Sequence, residues 1–154
     1  MLMLVFQLGD DRFALDTSRV VEIVPSLILR RLPHAPNCVA GMFNYRGTIV
    51  PVIDLCRLAL DHDCKDCLST RIVVTLVPTA NGSPRLVGLR AERVTETRKI
   101  SEDEMVSPGI HLGEAPYLGD VIKDTSGMIQ CIQLEHLLPK PLTDLVFQET
   151  MEQG

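Results

Sequence analysis

The sequence predicts a mainly β protein, two small five-stranded barrels packed side by side with a few short helices. Three observations predict it. Runs of β-branched and aliphatic residues of strand length recur between short turn signals along the chain. Long stretches with apolar residues at helical spacing are missing. The succession of features in the first half of the chain also recurs in the second, which is how a duplicated unit shows itself.

Strands are read at Met3 to Leu8, Arg12 to Leu15, Val20 to Val24 and Ile28 to Leu32, then in a hairpin from Gly41 to Ile53, and at Arg71 to Val77, Leu86 to Val94 and Gly127 to Leu134. Gly9-Asp10 and Asn81-Gly82 are turn signals, because Gly takes positive φ freely and Asn and Asp bond their own backbone. Short helices are placed at Asp16 to Arg19, Pro36 to Val39, Asp54 to Leu60 and Gln133 to Leu138. Pro51 cannot donate to a ladder and so marks an edge or a bulge in its strand. The N-terminal MLMLVFQL has no basic flank, no cleavage site and too few residues to span a bilayer, so it reads as a first strand.

The repeat is carried by order. Ala14-Leu15, Arg19-Val20 and Glu22 are echoed by Gly88-Leu89, Arg93-Val94 and Glu96. Pro36, Gly41 and the turn Gly47 before TIVPVIDL are echoed by Pro116, Gly119 and the turn Gly127 before MIQCIQL. Two intertwined units are expected within one domain, roughly 15–70 and 71–140 with the N-terminal strand shared, followed by a tail at 139–154. Closing each sheet into a barrel removes its exposed edges.

With 154 residues the chain can bury ~68–70% of its unfolded surface, so a core can form without disulfides. Aromatics are 4% and Trp is absent, so Val, Ile, Leu and Met must fill that core. A net charge of −5 gives no electrostatic basis for holding nucleic acid or an anionic membrane. Five cysteines, an odd number at uneven spacing, fit reduced thiols in the cytoplasm better than a disulfide framework.

The hairpin is the feature with functional content. GMFNY and TIVPVIDL flank Arg46-Gly47, so a tight turn presents Arg46 at a tip. A guanidinium held there is a five-donor fork suited to a carboxylate or to backbone carbonyls on a partner, and it is a poor general base. The matching turn of the second unit, Asp124-Thr125-Ser126-Gly127, has no arginine, so the architecture does not demand one.

Taken together, FQLGDDRFALDTSRVVEIVP at Phe6 to Pro25, LPHAPNCVAGMFNYRGTIVPVIDL at Leu32 to Leu55, RIVVTLV at Arg71 to Val77 and VGLRAERVTETRKI at Val87 to Ile100 make the chain resemble the CheW family of chemosensory adaptors over roughly residues 3 to 138. The resemblance implies SH3-like barrels without a catalytic centre or cofactor. It implies a protein in the cytoplasm, recruited to membrane receptor arrays and not inserted in the membrane. Its partners would be the tip of a methyl-accepting chemoreceptor and a CheA-type histidine kinase, with weak self-association in arrays. By that likeness Arg46, Val20 and Glu22 contact the receptor, Asn44 and Gly47 shape the turn, and Leu86, Gly88 and Val94 face the kinase. Tyr45 and Glu92 depart from the family's usual aliphatic residue and Asp, which bears on partner choice and not on fold. Neither a receiver nor an ATP-binding domain is expected in a chain of this length, and there is no phosphate-binding GxxxxGK loop.

A second class of function is a small metal-binding or redox module on His62, Cys64 and Cys67, whose H-x-C-x-x-C spacing offers three of zinc's four ligands. No fourth ligand is evident, and Cys38, Cys56 and Cys131 fall in apolar contexts. His34 and His111 read as loop residues, His136 as part of a terminal helix, and Glu102, Asp103 and Glu104 as a solvated turn.

Overall fold

A computed structural model describes residues 1–78, 83–110, 115–125 and 127–137. Within them the strands are β1 (Leu2–Leu8), β2 (Asp11–Asp16), β3 (Val20–Pro25), β4 (Val39–Tyr45), β5 (Thr48–Asp54), β6 (Arg71–Val77), β7 (Arg85–Lys99), β8 (Met105–Val106), β9 (Leu118–Asp124) and β10 (Gly127–Ile132). One α-helix, α1 (Leu55–Leu60), follows β5, capped by the Asp54 side chain, which accepts from the Arg57 N–H. Short 3₁₀ turns cover Thr17–Arg19, Glu102–Glu104 and Leu134–His136.

Most expected elements are present, with instructive differences. Ile28 to Leu32 is not a strand and makes only an isolated bridge, Arg30 to Met42. Pro36 to Val39 is a turn closed by Val39 N–H on the Pro36 carbonyl, not a helix. The Asp16 to Arg19 and Gln133 to Leu138 helices contract to 3₁₀ turns, with Leu138 outside the described residues. β9 and the extension of β7 to Lys99 were not expected as they stand. The Asn81-Gly82 turn, His111, Ser126 and the tail lie outside the described residues.

The strands form two sheets. One runs β3-β6-β7-β5-β4 and the other β7-β1-β2-β10-β9-β8. The strand common to both is β7: its residues 85–91 pair with β6, and residues from Glu92 to Lys99 pair with β1. The change of partner falls at a bulge, where Gln7 faces Glu92 but Val5 faces Glu96, and Arg93 there has φ 49°.

The repeat survives in the pairing but not in the chain-order boundary. Val52 of β5 lies parallel to Gly88 of β7, and Cys131 of β10 lies parallel to Ala14 of β2, the equivalent residues of the two echoes. Yet β1 and β2 complete the sheet of the second unit, while β6 and the start of β7 complete that of the first. A division at residue 70 therefore separates the repeats, not the sheets, and β1 belongs to one sheet only. Pro51 sits where β5 has β4 alone as neighbour, since the parallel pairing to β7 starts at Val52, so its missing N–H costs no ladder bond there.

Strand alternation then fills two cores at once. On β1, Leu4, Phe6 and Leu8 enter a large cluster shared by both sheets, while Met3 and Val5 enter a smaller one with Ala14, Ile122, Ile129 and Cys131. The large cluster includes Ile53, Leu55, Val73, Leu89, Val94 and Leu137, so it is the seam between the barrels. The first barrel's own interior holds Val50, Val52, Ile72 and Val74, all buried. Gly88 leaves room for them: a Cβ there would stand 2.8 Å from Ile72 Cγ2 and 3.1 Å from Val52 Cγ2.

Gly88→Ala is therefore expected to destabilise the protein by about 1–3 kcal/mol through overpacking, lowering the urea midpoint at unchanged slope. A midpoint equal to that of the parent would remove the close-packing role given to Gly88.

Candidate functional site

β4 and β5 are joined by Arg46-Gly47 alone, with Tyr45 opposite Thr48. Both loop residues have positive φ, 50° at Arg46 and 91° at Gly47, as a two-residue turn matching the twist of its strands requires. Gly takes that conformation freely, but an L-residue such as Arg pays roughly 1–2 kcal/mol. Asn44 Oδ1 accepts from the Gly47 N–H at 2.8 Å and fixes the turn.

The arginine is held from below and from the side. Its Cζ lies 5.3 Å from the centre of the Tyr45 ring, a cation–π approach. Its Nη2 donates to Glu22 Oε1 at 2.8 Å, and the Tyr45 hydroxyl donates to the same oxygen at 2.8 Å. Glu22 is on β3 and Tyr45 on β4, the two outer strands of the first sheet, so this cluster bridges strands that share no ladder. The Arg46 side chain is nonetheless 76% exposed, leaving most of its donor fork free for another molecule.

Glu22 raises the pKa of the Tyr45 phenol, first through the hydrogen bond it accepts, then with help from burial and against the charge of Arg46. The folded protein therefore keeps this proton longer than the unfolded chain does. The associated stability is complete below the ordinary phenol range, ~10, and is lost as pH rises beyond it.

The site residues named from the sequence separate into groups. Arg46, Glu22, Asn44 and Gly47 come together, and Val20 lies on the same strand as Glu22, half-buried against the central seam. Leu86 lines a shallow depression of about 150 Å³ with Ile49, Leu76 and Arg85. Gly88 and Val94 are buried, one inside the first barrel and one in the seam, so neither presents a side chain to a partner. Tyr45 is the member that sequence reasoning left out of the cluster, although its position beside the turn was the available signal.

Glu92 also differs from expectation, because it bears on the fold. Its carboxylate is buried and accepts from the Gly9 N–H at 3.0 Å and the Lys65 N–H at 2.6 Å, tying two loops to the bend of β7. His62, Cys64 and Cys67 do not form a metal centre. His62 is exposed and turned to the Asp63 carbonyl, Cys64 is buried against Cys56, and Cys67 is exposed against Ser69 and Thr70.

Two outcomes test the cluster. Arg46→Gly relieves the backbone conformation while removing an exposed ion pair, so stability should stay within about 1 kcal/mol of the parent; a loss above about 2 kcal/mol in urea unfolding would make the arginine structural. Glu22→Ala should bring the Tyr45 ionisation, read by phenolate absorbance, down toward ~10, while Tyr117, whose pKa burial raises, stays where it was.

Residues 2–141 match the family model described as CheW-like domain. The chain is 30% identical over 101 residues to the chemotaxis protein CheW of Helicobacter pylori, covering 65% of this chain and 58% of that protein. It is 26% identical over 103 residues to protein FrzA of Myxococcus xanthus, covering 67% and 61%. The match thus spans less than two thirds of the length of either relative. A probable chemotaxis protein CheW of Rhizobium etli is 26% identical over 139 residues, 88% of this chain and 85% of that one. Among solved structures, the scaffolding protein TtCheW of Thermoanaerobacter tengcongensis superposes with a TM-score of 0.80 over 94% of this chain and 92% of that chain, at 24% identity. That likeness identifies the fold as paired SH3-like barrels, and with the family match over nearly the whole chain it shows that this protein belongs to the CheW-like domain family.

Proposed function

We propose that this chain is a chemosensory adaptor that couples methyl-accepting chemoreceptors to a CheA-type histidine kinase and performs no chemistry itself. The observation that carries the proposal is Arg46: an exposed guanidinium kept at positive φ, at a position where Gly would fold more easily. Backbone strain retained at an exposed tip supports a binding role. Its neighbours Glu22 and Tyr45 are bonded to it and to each other, an arrangement that orients a cation and activates no nucleophile. Membership of the CheW-like family and likeness to chemotaxis proteins support the same reading.

The receptor face is assigned to the outside of β3 beside the turn, where Val21 and Ile23 are exposed. An apolar stripe of a helical receptor tip would cover these two, and Arg46 would fix its register through charge-assisted hydrogen bonds. A separate depression of about 620 Å³, lined by residues such as Arg12, Leu60, Tyr117 and Met128, includes none of the arginine cluster. For the kinase, the depression at Leu86 with exposed Ile49 and Leu76 offers an apolar patch suited to a similar barrel. Recruitment to receptor arrays follows from these contacts; no helix among the described residues is long and apolar enough to cross a membrane.

Arg46→Ala is expected to fold as the parent does and to lose receptor-dependent control of the kinase by at least about tenfold, since a charge-assisted bond at an interface is worth roughly 1.5–3 kcal/mol. Arg46→Lys should not restore it, because a point charge lacks the planar fork. Full coupling by Arg46→Ala in a reconstituted receptor, kinase and adaptor assay would overturn the assignment.

A further inference from the structure

The segment from Asp61 to Thr70 carries chemistry that coupling does not use. Asp54, besides capping α1, accepts the Cys64 N–H, at 3.1 Å on its nearer oxygen, and so folds this loop back over the first turn of the helix. The result is a buried pair of thiols: Cys56 and Cys64 are 0% and 6% exposed, and their sulfurs stand 2.8 Å apart. Three residues on, Cys67 is exposed, its sulfur 3.5 Å from Ser69 Oγ and 3.3 Å from Thr70 Oγ1.

The spacing of the pair decides between the chemistries open to it. Asp54, Cys56 and Cys64 place one ligand atom each within 4.8 Å of one another, which suggests a metal. A tetrahedral zinc with Zn–S of ~2.3 Å needs its sulfurs ~3.8 Å apart, wider than these. The Asp54 oxygens are already taken by two backbone N–H groups, and the Arg90 guanidinium stands 3.7 Å away. A disulfide needs ~2.05 Å, so the sulfurs have under ~1 Å to close.

We propose that Cys56, Cys64 and Cys67 form an oxidative modification site, in which a peroxide that reacts at exposed Cys67 is converted into a Cys56–Cys64 disulfide. The Cys67 thiolate attacks one peroxide oxygen, the O–O bond breaks, and the other oxygen leaves as water or alcohol, making Cys67 a sulfenic acid. The Cys64 sulfur then attacks the Cys67 sulfur, and the sulfenic oxygen leaves as water with the thiol proton. Finally the Cys56 sulfur attacks Cys64 and expels Cys67, which regains its thiol with the proton Cys56 gives up. In sum, two thiols and one peroxide give one disulfide, one water from the sulfenic oxygen, and one further water or alcohol from the peroxide.

Local environment makes Cys67 the first thiol to react. The Ser69 and Thr70 hydroxyls hold the Cys67 thiol below its ordinary range, so it is the better first nucleophile and the better leaving group. The hydrogen bond with Cys56, and then burial, push the Cys64 thiol up, so Cys64 is the poorer target for peroxide. A disulfide that forms transiently in a reducing compartment is characteristic of redox sensing.

The full-length chain itself provides the test, because trypsin cuts after Arg57, Lys65 and Arg71 and places the three cysteines on separate peptides. The reduced protein is exposed to hydrogen peroxide, its free thiols are alkylated under denaturing conditions, and the peptides are mapped by mass. The expected product links Gly47–Arg57 to Leu58–Lys65, is reversed by dithiothreitol, and leaves Cys38 and Cys131 alkylated. Cys67→Ser alters only an exposed side chain and should slow formation of the link by about tenfold or more. Sulfinic acid at Cys67 with both buried thiols still alkylated would overturn the proposal, as would an unchanged rate in Cys67→Ser.

Discussion

The bend in β7 is the constraint on which the remaining architecture depends. One strand serves two sheets only if its backbone turns between them, and the bulge opposite β1, with Arg93 at positive φ, supplies that turn. Glu92 secures it from inside by accepting two backbone N–H groups from loops that belong to different parts of the chain. A buried carboxylate is tolerated only when its oxygens are satisfied, so the bend, the Gly9 turn and the loop at Lys65 depend on one another. The seam then forms as a consequence, with the apolar residues on the two faces of β1 and β2 sent to different cores and Leu89 and Val94 of β7 packed between the sheets.

The two barrels secure their hairpins with opposite polarity. In the first, Glu22 on β3 takes the Tyr45 hydroxyl and the Arg46 guanidinium from the hairpin. In the second, the carboxylate is on the hairpin itself, where buried Asp124 takes guanidiniums from Arg12 on β2 and Arg98 on β7. Both arrangements tie strands through side chains. They differ in what is left facing outward, since Arg12 and Arg98 are largely covered while Arg46 is largely free. That difference in exposure, more than the presence of an ion pair, distinguishes the tip suited to recognition.

Much of this was legible in residue order. β6 ends where its run of Val and Ile ends, and the hairpin was fixed by Arg46-Gly47 between apolar strands. β9 was missed because LGDVIKD mixes charged and small residues and is defined as a strand by its pairing with β10 and β8. Ile28 to Leu32 has strand-like composition but leads into a proline and finds a partner only at Arg30. The clamp on Arg46 could not be read off, since Glu22 and Tyr45 meet across two strands that are not paired. Burial of Gly88 and Val94 was hidden for a related reason: alternation identifies two faces of a strand but not that both are covered.

The exchange of β1 and β2 for β6 and the start of β7 has a consequence for how such a chain came to exist. Each repeat lends its opening hairpin to the other and keeps its remaining strands for itself. In one chain, that is the arrangement of a domain-swapped homodimer whose two copies have been fused end to end. Fusion turns a concentration-dependent association into an intramolecular one, and it releases the two copies from identity. Only then could one hairpin tip acquire an arginine that its twin lacks, so asymmetry between the barrels is what the duplication made available.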